Sequence, residues 1–188
     1  MLKRGFAGLV VLLGLCLPGA AGPLLDKANE AETALSAGEG TRAVLLMREA
    51  LFEAWRAAPL TVETAIFVEA QADGYGIYTE RADNVFAEGE PLRIYLEPVG
   101  FDWKQAEGFH TSLLTVDFDL TSPDGKVLAG QKGFGRFEFK SHVPNTEYMA
   151  NLTLNVSGAE AGDYLLVLTI NDEYSGSSAR VQLPFVIK

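Results

Sequence analysis

Val116-Asp117-Phe118-Asp119-Leu120-Thr121 decides the fold. Three apolar side chains alternate with two carboxylates and a hydroxyl, the period-2 pattern of a strand with one face on a core and the other in water. Ser122-Pro123-Asp124-Gly125 follows it, and that order of residues favours a tight turn. The same alternation recurs outward in both directions. Upstream lie Ile66-Phe67-Val68-Glu69 and Leu92-Arg93-Ile94-Tyr95-Leu96-Glu97. Downstream, Leu152, Leu154 and Val156 alternate with Asn151, Thr153 and Asn155. Tyr164, Leu166, Leu168 and Ile170 form a further set, and Val181, Leu183, Phe185 and Ile187 close the chain. Glycine-rich breaks at 158–163 and 175–177 separate the last three runs. About seven short strands at this spacing predict an antiparallel β-sandwich over residues 61–188. Gly130 to Gly135 reads as a bulge or bend between extended segments.

The helical period is confined to residues 22–60. Ala28, Ala31, Ala34 and Leu35 suit a short helix ending at Ser36-Ala37-Gly38. Thr41 is the candidate N-cap of a second helix, whose apolar stripe is Val44, Met47, Leu51 and Trp55, widened by Leu45 and Phe52. Pro59 stops it. The short connection predicts an antiparallel helical hairpin. Ala34-Leu35-Ser36-Ala37-Gly38 followed by Ala43 and Ala50-Leu51 is similar to one tetratricopeptide-type unit, which cannot bury its own face. The stripe must therefore meet the sandwich, a second copy or another protein. The direct connection at Pro59-Leu60 favours the sandwich, with Trp55 as the main anchor.

Ala161-Gly162-Asp163-Tyr164 at the head of the penultimate strand resembles the tyrosine corner of immunoglobulin-like sandwiches. Pro91 opening a strand after Ala87-Glu88-Gly89-Glu90 is similar to bacterial members of that architecture. So is the ending, from Gly162-Asp163-Tyr164 through Asp172 and Ser175-Gly176 to Leu183-Pro184-Phe185. The resemblance, to exported bacterial proteins with immunoglobulin-like or fibronectin type III-like sandwiches, spans about 120 residues. It implies an architecture and carries no catalytic residues.

Residues 1–21 read as an export signal: Lys3-Arg4, an apolar run from Phe6 to Leu17, and small residues before a cut after Ala21. The run is too short for a membrane span, which needs roughly twenty residues. Lipid anchoring through Cys16 is the alternative, although bulky Leu15 precedes it. With Cys16 removed, the mature chain holds no cysteine and hence no disulfide. The location implied is the bacterial periplasm.

The whole chain carries 15 Lys+Arg against 25 Asp+Glu, a net of −10, which becomes −12 without Lys3 and Arg4. That disfavours nucleic acid and anionic membranes as partners, since both demand clustered positive charge. An apolar content of 48% supports a packed core. Residues 61–188 hold −10 and residues 22–60 only −2, so protein contact is expected at the hairpin, through Val44, Met47, Leu51, Phe52 and Trp55.

No nucleophile elbow, zinc-protease motif or phosphate loop is present. His110 and His142 are the only imidazoles and sit on separate segments, so no metal or other cofactor is expected. Asp117 and Asp119 lie about 7 Å apart on one strand face, a spacing better suited to a solvated face than to Ca²⁺. Two aromatic groups remain as candidate binding residues: Tyr75 and Tyr78, and Phe101, Trp103, Phe109 and His110 around the polar loop 102–108. Loops at a sandwich end commonly carry binding surfaces. The expected function is that of an exported, non-enzymatic interaction module with a protein partner. The alternative is a carbohydrate- or peptidoglycan-binding module using the aromatic loop, and a carboxylate-based hydrolase ranks third.

Overall fold

A computed structural model describes residues 22–188 of the chain. The expected export signal, its cleavage point and Cys16 lie outside the described residues. The chain divides into two compact units, one ending at Ala50 and the other running from Leu51 to Lys188.

In the first unit α1 (Pro23–Ser36) is followed by α2 (Gly40–Ala57), whose last turns belong to the second unit. Pro23 stands in the first turn of α1, where a missing N–H costs nothing. The Glu39 N–H still bonds to the Ala34 carbonyl, while the Glu39 carbonyl already accepts from Ala43. The connection is so tight that Glu39 takes the cap position and Thr41 lies within the first turn, not at the N-cap expected of it. Ala31 and Ala34 pack on Ala43 and Leu46. The buried face of α2 in this unit is thus Ala43, Leu46 and Ala50, while Val44, Leu45 and Met47 are 50–56% exposed. Small side chains let two helices approach closely, which turns the larger ones outward.

The second unit is a sandwich of two sheets. One has the antiparallel order β1 (Thr61–Phe67), β3 (Leu92–Val99), β7 (Ala150–Leu154). In the other, β9 (Ser178–Ile187) pairs with β8 (Gly162–Asp172), and β8 with β5 (Phe109–Thr121). β6 (Val127–Ser141) lies on the far side of β5, β2 (Val85–Phe86) runs parallel to β9, and short β4 (Lys104–Ala106) pairs with the start of β5. The order β1-β3-β7 against β9-β8-β5-β6 is A-B-E against G-F-C-C′, so this is an immunoglobulin-like sandwich. Leu92, Ile94 and Leu96 face Leu114, Val116, Leu166, Leu168, Ile170 and Phe185 in a single core. Each such side chain contributes roughly 1.5–3 kcal/mol. At its corner, the Tyr164 hydroxyl donates to the Glu160 carbonyl at 2.8 Å, and the half-buried ring stacks on Phe185.

Two strands depart from their sequence patterns. The bulge expected at Gly130 to Gly135 is present, but it lies inside one 15-residue strand, β6, that runs on to both sides of it. Its seven leading residues are all exposed, so they carry no core-facing signal. Val116 pairs with Gly135 but Phe118 with Gln131, which leaves Lys132-Gly133-Phe134 bulged opposite Asp117. Asp117 accepts from the Gly133 N–H at 2.7 Å, Lys132 Nζ at 3.0 Å and Asn171 Nδ2 at 3.2 Å. Burial, the largest single influence, opposes its charge, yet these donors together hold the carboxyl below its ordinary range. It clamps the bulge and is not a solvated acid.

On β3, the alternation assigns Tyr95 and Glu97 to the watered face, but both are buried. Residues 68–80 fold across that face. The Gly76 N–H donates to Tyr95 Oη at 2.7 Å, Tyr95 donates to Glu97, and Thr64 Oγ1 donates to the other Glu97 oxygen at 2.7 Å. Asn151 exchanges two hydrogen bonds with the Ala72 backbone. Burial first, then the bond to Glu97, pushes the Tyr95 hydroxyl up to about 12.

Candidate functional site

The end of the sandwich where β3 gives way to β4 gathers the largest aromatic group. Gly100 has φ +79°, and a Cβ there would sit 2.4 Å from the Pro59 carbonyl oxygen. Only glycine both adopts that backbone and fits that approach. The reversal drives Phe101 into the core, 1% exposed. The Asp102 N–H then donates to Asp172 Oδ2 at 2.8 Å. Asp172 is itself buried and also accepts from the Tyr174 N–H and Ser175 Oγ, so one carboxylate ties the β3–β4 segment to the β8–β9 turn.

The polar loop expected at 102–108 is a hairpin. Ala106 pairs with Phe109 across Glu107 and Gly108, at φ +53° and +79°, the two-residue turn whose twist suits flanking strands. Trp55 donates from Nε1 to the Phe101 carbonyl at 2.8 Å, and its ring meets Phe101 edge-on at 5.2 Å. Phe101 also contacts Trp103 at 5.4 Å and Tyr148 at 5.2 Å, and Trp103 contacts Phe139 at 5.8 Å. Burial alone pushes the Tyr148 hydroxyl up to about 12.

Between these rings and the last turn of α2 lies a cavity of about 280 Å³. Phe52, Trp55, Phe101 and Trp103 line it with Arg56, Asp102, Gln105 and His110. The indole Nε1 of Trp103 is buried and has no hydrogen-bond partner. A buried donor left unpaired costs about 1–3 kcal/mol. Aromatic faces beside an amide, an imidazole and a carboxylate suit a flat polar ring or a peptide group.

Of the expected binding residues, Phe101, Trp103 and His110 line this cavity. Phe109 instead stacks on His142 at 4.5 Å, with Lys140 Nζ 4.0 Å above its ring. Tyr75 and Tyr78 lie in the segment that covers β3 and stay exposed, at 40% and 38%, with Tyr78 packed on Tyr95 at 4.4 Å. Among the described residues no ring contact joins them to the Phe101 group. Burial, with the fields of Glu97, Glu63 and Glu147, raises the Tyr75 hydroxyl above its ordinary value. Of the expected partner-facing residues, Trp55 is buried at the sandwich and Phe52 half-buried, while Val44, Met47 and Leu51 are about half exposed. The sequence placed Asp172 in the β8–β9 turn but gave no sign of its tie to Asp102, 70 positions away. A larger cavity, about 440 Å³, is lined by Phe118, Leu120, Leu154, Val156 and Tyr164. Among the described residues, no helix is long and apolar enough to cross a membrane.

No protein-family model matches the chain, and no curated protein matches it. Among solved structures it is similar to superoxide reductase (neelaredoxin) from Ignicoccus hospitalis, at 10% identity and TM-score 0.34, covering 68% of this chain and 82% of that one. It is also similar to the fibronectin(III)-like modules of CbhA from Clostridium thermocellum, at 14% identity and TM-score 0.33, covering 69% and 47%. A third is the CARDB domain of a Pyrococcus furiosus protein, at 10% identity and TM-score 0.32, covering 69% and 86%. The assignment of the architecture rests on the strand order within this chain.

Proposed function

We propose that this chain is an exported, non-enzymatic interaction module of the bacterial cell envelope, and that its partner is a protein held on the apolar face of α2. The observation that carries this reading is the exposure of Val44 at 56% and Met47 at 50%, with Leu51 at 49% continuing the three- and four-residue spacing. Large apolar side chains grouped on one helix face are the anchors of helix-mediated recognition. The test places a photo-crosslinking residue at Met47 in cells expressing the whole chain. A discrete protein adduct, lost when Val44→Glu is added, is the expected result. Absence of any adduct, or one indifferent to Val44→Glu, rejects the reading. Intact mass of the exported form checks cleavage after Ala21 against acylation at Cys16.

A second reading, a carbohydrate site, is favoured by the cavity that Trp55, Phe101 and Trp103 line beside Gln105, Asp102 and His110. Trp55 and Trp103 are the only tryptophans, so titration with peptidoglycan fragments should quench emission, and Trp103→Phe should weaken that response. Unchanged emission at millimolar glycan rejects it.

A further inference from the structure

β6 is long, lies at the margin of its sheet and differs in charge from everything around it. Among the described residues it pairs only with β5. A strand with one neighbour presents a row of backbone N–H and C=O groups to any further strand. Beyond the bulge, Gly135 to Ser141 keeps unbroken register with Val116 to His110, so this arm is a straight template. Leu114 and Val116 face the core, which places their partners Phe137 and Gly135 on the inner face, with Phe139 two residues on. Arg136, Glu138 and Lys140 then form the outer face, and all three are exposed.

Charge sets the identity of what fits. β6 holds Lys132, Arg136 and Lys140 against Glu138, a net of +2, while the rest of residues 61–188 sums to −12. Opposite Arg136 and Lys140, β5 offers only Thr115 and Thr111. Arg136 pairs with Glu138 on its own strand, about 60% exposed on each side, and the Glu173 carboxylate beside it is held by Thr115 Oγ1 at 2.6 Å. On the inner side, Phe137 and Phe139 are only half-buried, so the edge also offers apolar surface. A second copy pairing along the whole of this arm is a poor occupant, since antiparallel self-pairing of Gly135 to Ser141 centres on Glu138 and sets Arg136 opposite Lys140 and Glu138 opposite Glu138, and like charges opposed across a pair are destabilising.

We propose that the Gly135–Ser141 edge of β6 accepts an extended partner segment in which acidic and apolar residues alternate. The segment adds a strand by main-chain hydrogen bonding, its carboxylates beside Arg136 and Lys140 and its apolar side chains against Phe137 and Phe139. The same cations that reject a second copy select this occupant, so one feature gives both protection and specificity. This surface belongs to the sandwich alone and does not depend on the reading of α2.

The test uses a fluorescein-labelled heptapeptide alternating valine and glutamate, with a valine–lysine heptapeptide as control, on the whole protein. The expected result is saturable binding of the acidic peptide only, weakened about tenfold by Arg136→Glu with Lys140→Glu, and weakened again by about 0.5 M salt. Backbone amides of residues 135–141 should exchange more slowly in the complex. Both positions are exposed, and an unchanged unfolding midpoint verifies that the double variant folds. If it does not, the salt series and amide exchange of the unaltered protein decide. Failure to bind, equal binding of the lysine peptide, or binding without amide protection each overturns the proposal. The last outcome would mean charge attraction without strand addition.

Discussion

α2 and β3 treat their side chains in opposite ways. α2 leaves Val44, Met47 and Leu51 about half exposed, although each is an apolar residue on one helix face. β3 buries Tyr95 and Glu97, a phenol and a carboxylate on the face that alternation assigns to water. The difference lies in what each element meets. α2 meets α1 through alanines, and small side chains bring the backbones together while leaving little apolar area to cover anything larger. β3 meets residues 68–80, whose backbone brings a donor to Tyr95, while Thr64 of the neighbouring strand supplies one to Glu97. A buried polar pair is tolerable when every member finds a partner. An apolar residue is tolerable in water when covering it yields no net gain, or when its cover is another molecule.

The comparison is most sensitive where α2 stops being exposed, at Trp55. Phe101→Ala removes the ring that Trp55, Trp103 and Tyr148 share, and should cost about 3–5 kcal/mol by urea denaturation, with a red shift in tryptophan emission. A loss below about 1 kcal/mol would show that the sandwich end collapses around the gap. Next, Tyr95→Phe strips the Gly76 N–H of its acceptor and Glu97 of one donor, at about 1–3 kcal/mol. The same hydroxyl makes a pH signature. Unfolded, it loses its proton near the ordinary tyrosine value of about 10, whereas folded it keeps the proton until about 12. Its contribution is fully present below pH 10 and is lost as pH rises through that window. Stability of the Tyr95→Phe variant should fall less steeply there, and identical slopes would contradict the buried pair.

Smaller effects sharpen the contrast. Tyr164→Phe removes one hydroxyl bond to Glu160 and should lower stability by about 0.5–1.5 kcal/mol, read as a shift in denaturation midpoint. Met47→Ser should change stability by no more than about 0.5 kcal/mol. A larger loss in the isolated protein would mean that Met47 is covered within the chain.

Much of the candidate site was legible from local pattern. Phe101, Trp103 and His110 stand close together in sequence, and their hairpin setting keeps them together in space. Asp172 with Ser175-Gly176 was legible as a turn, but its bond to the Asp102 N–H was not, because a partner 70 positions away leaves no trace in the local pattern. Phe109 was misplaced with the cavity group because strand alternation turns it away from Trp103, toward His142 and Lys140.

By itself the sequence determined the two helices, the principal core strands and the tyrosine corner, because periods of 3.6 and 2 are properties of a single segment and burial of one face enforces them. It also determined the acidic balance that sets the basic β6 apart. Tertiary structure alone decided which face of α2 is covered, that β3 is covered on both faces, and that residues 127–141 form a 15-residue edge strand. Each of these depends on a neighbour outside the segment itself: the alanines of α1, the backbone of residues 68–80, the register of β5. Burial and hydrogen bonding are settled between elements, so a pattern within one element states what it can bury but not what arrives to bury it.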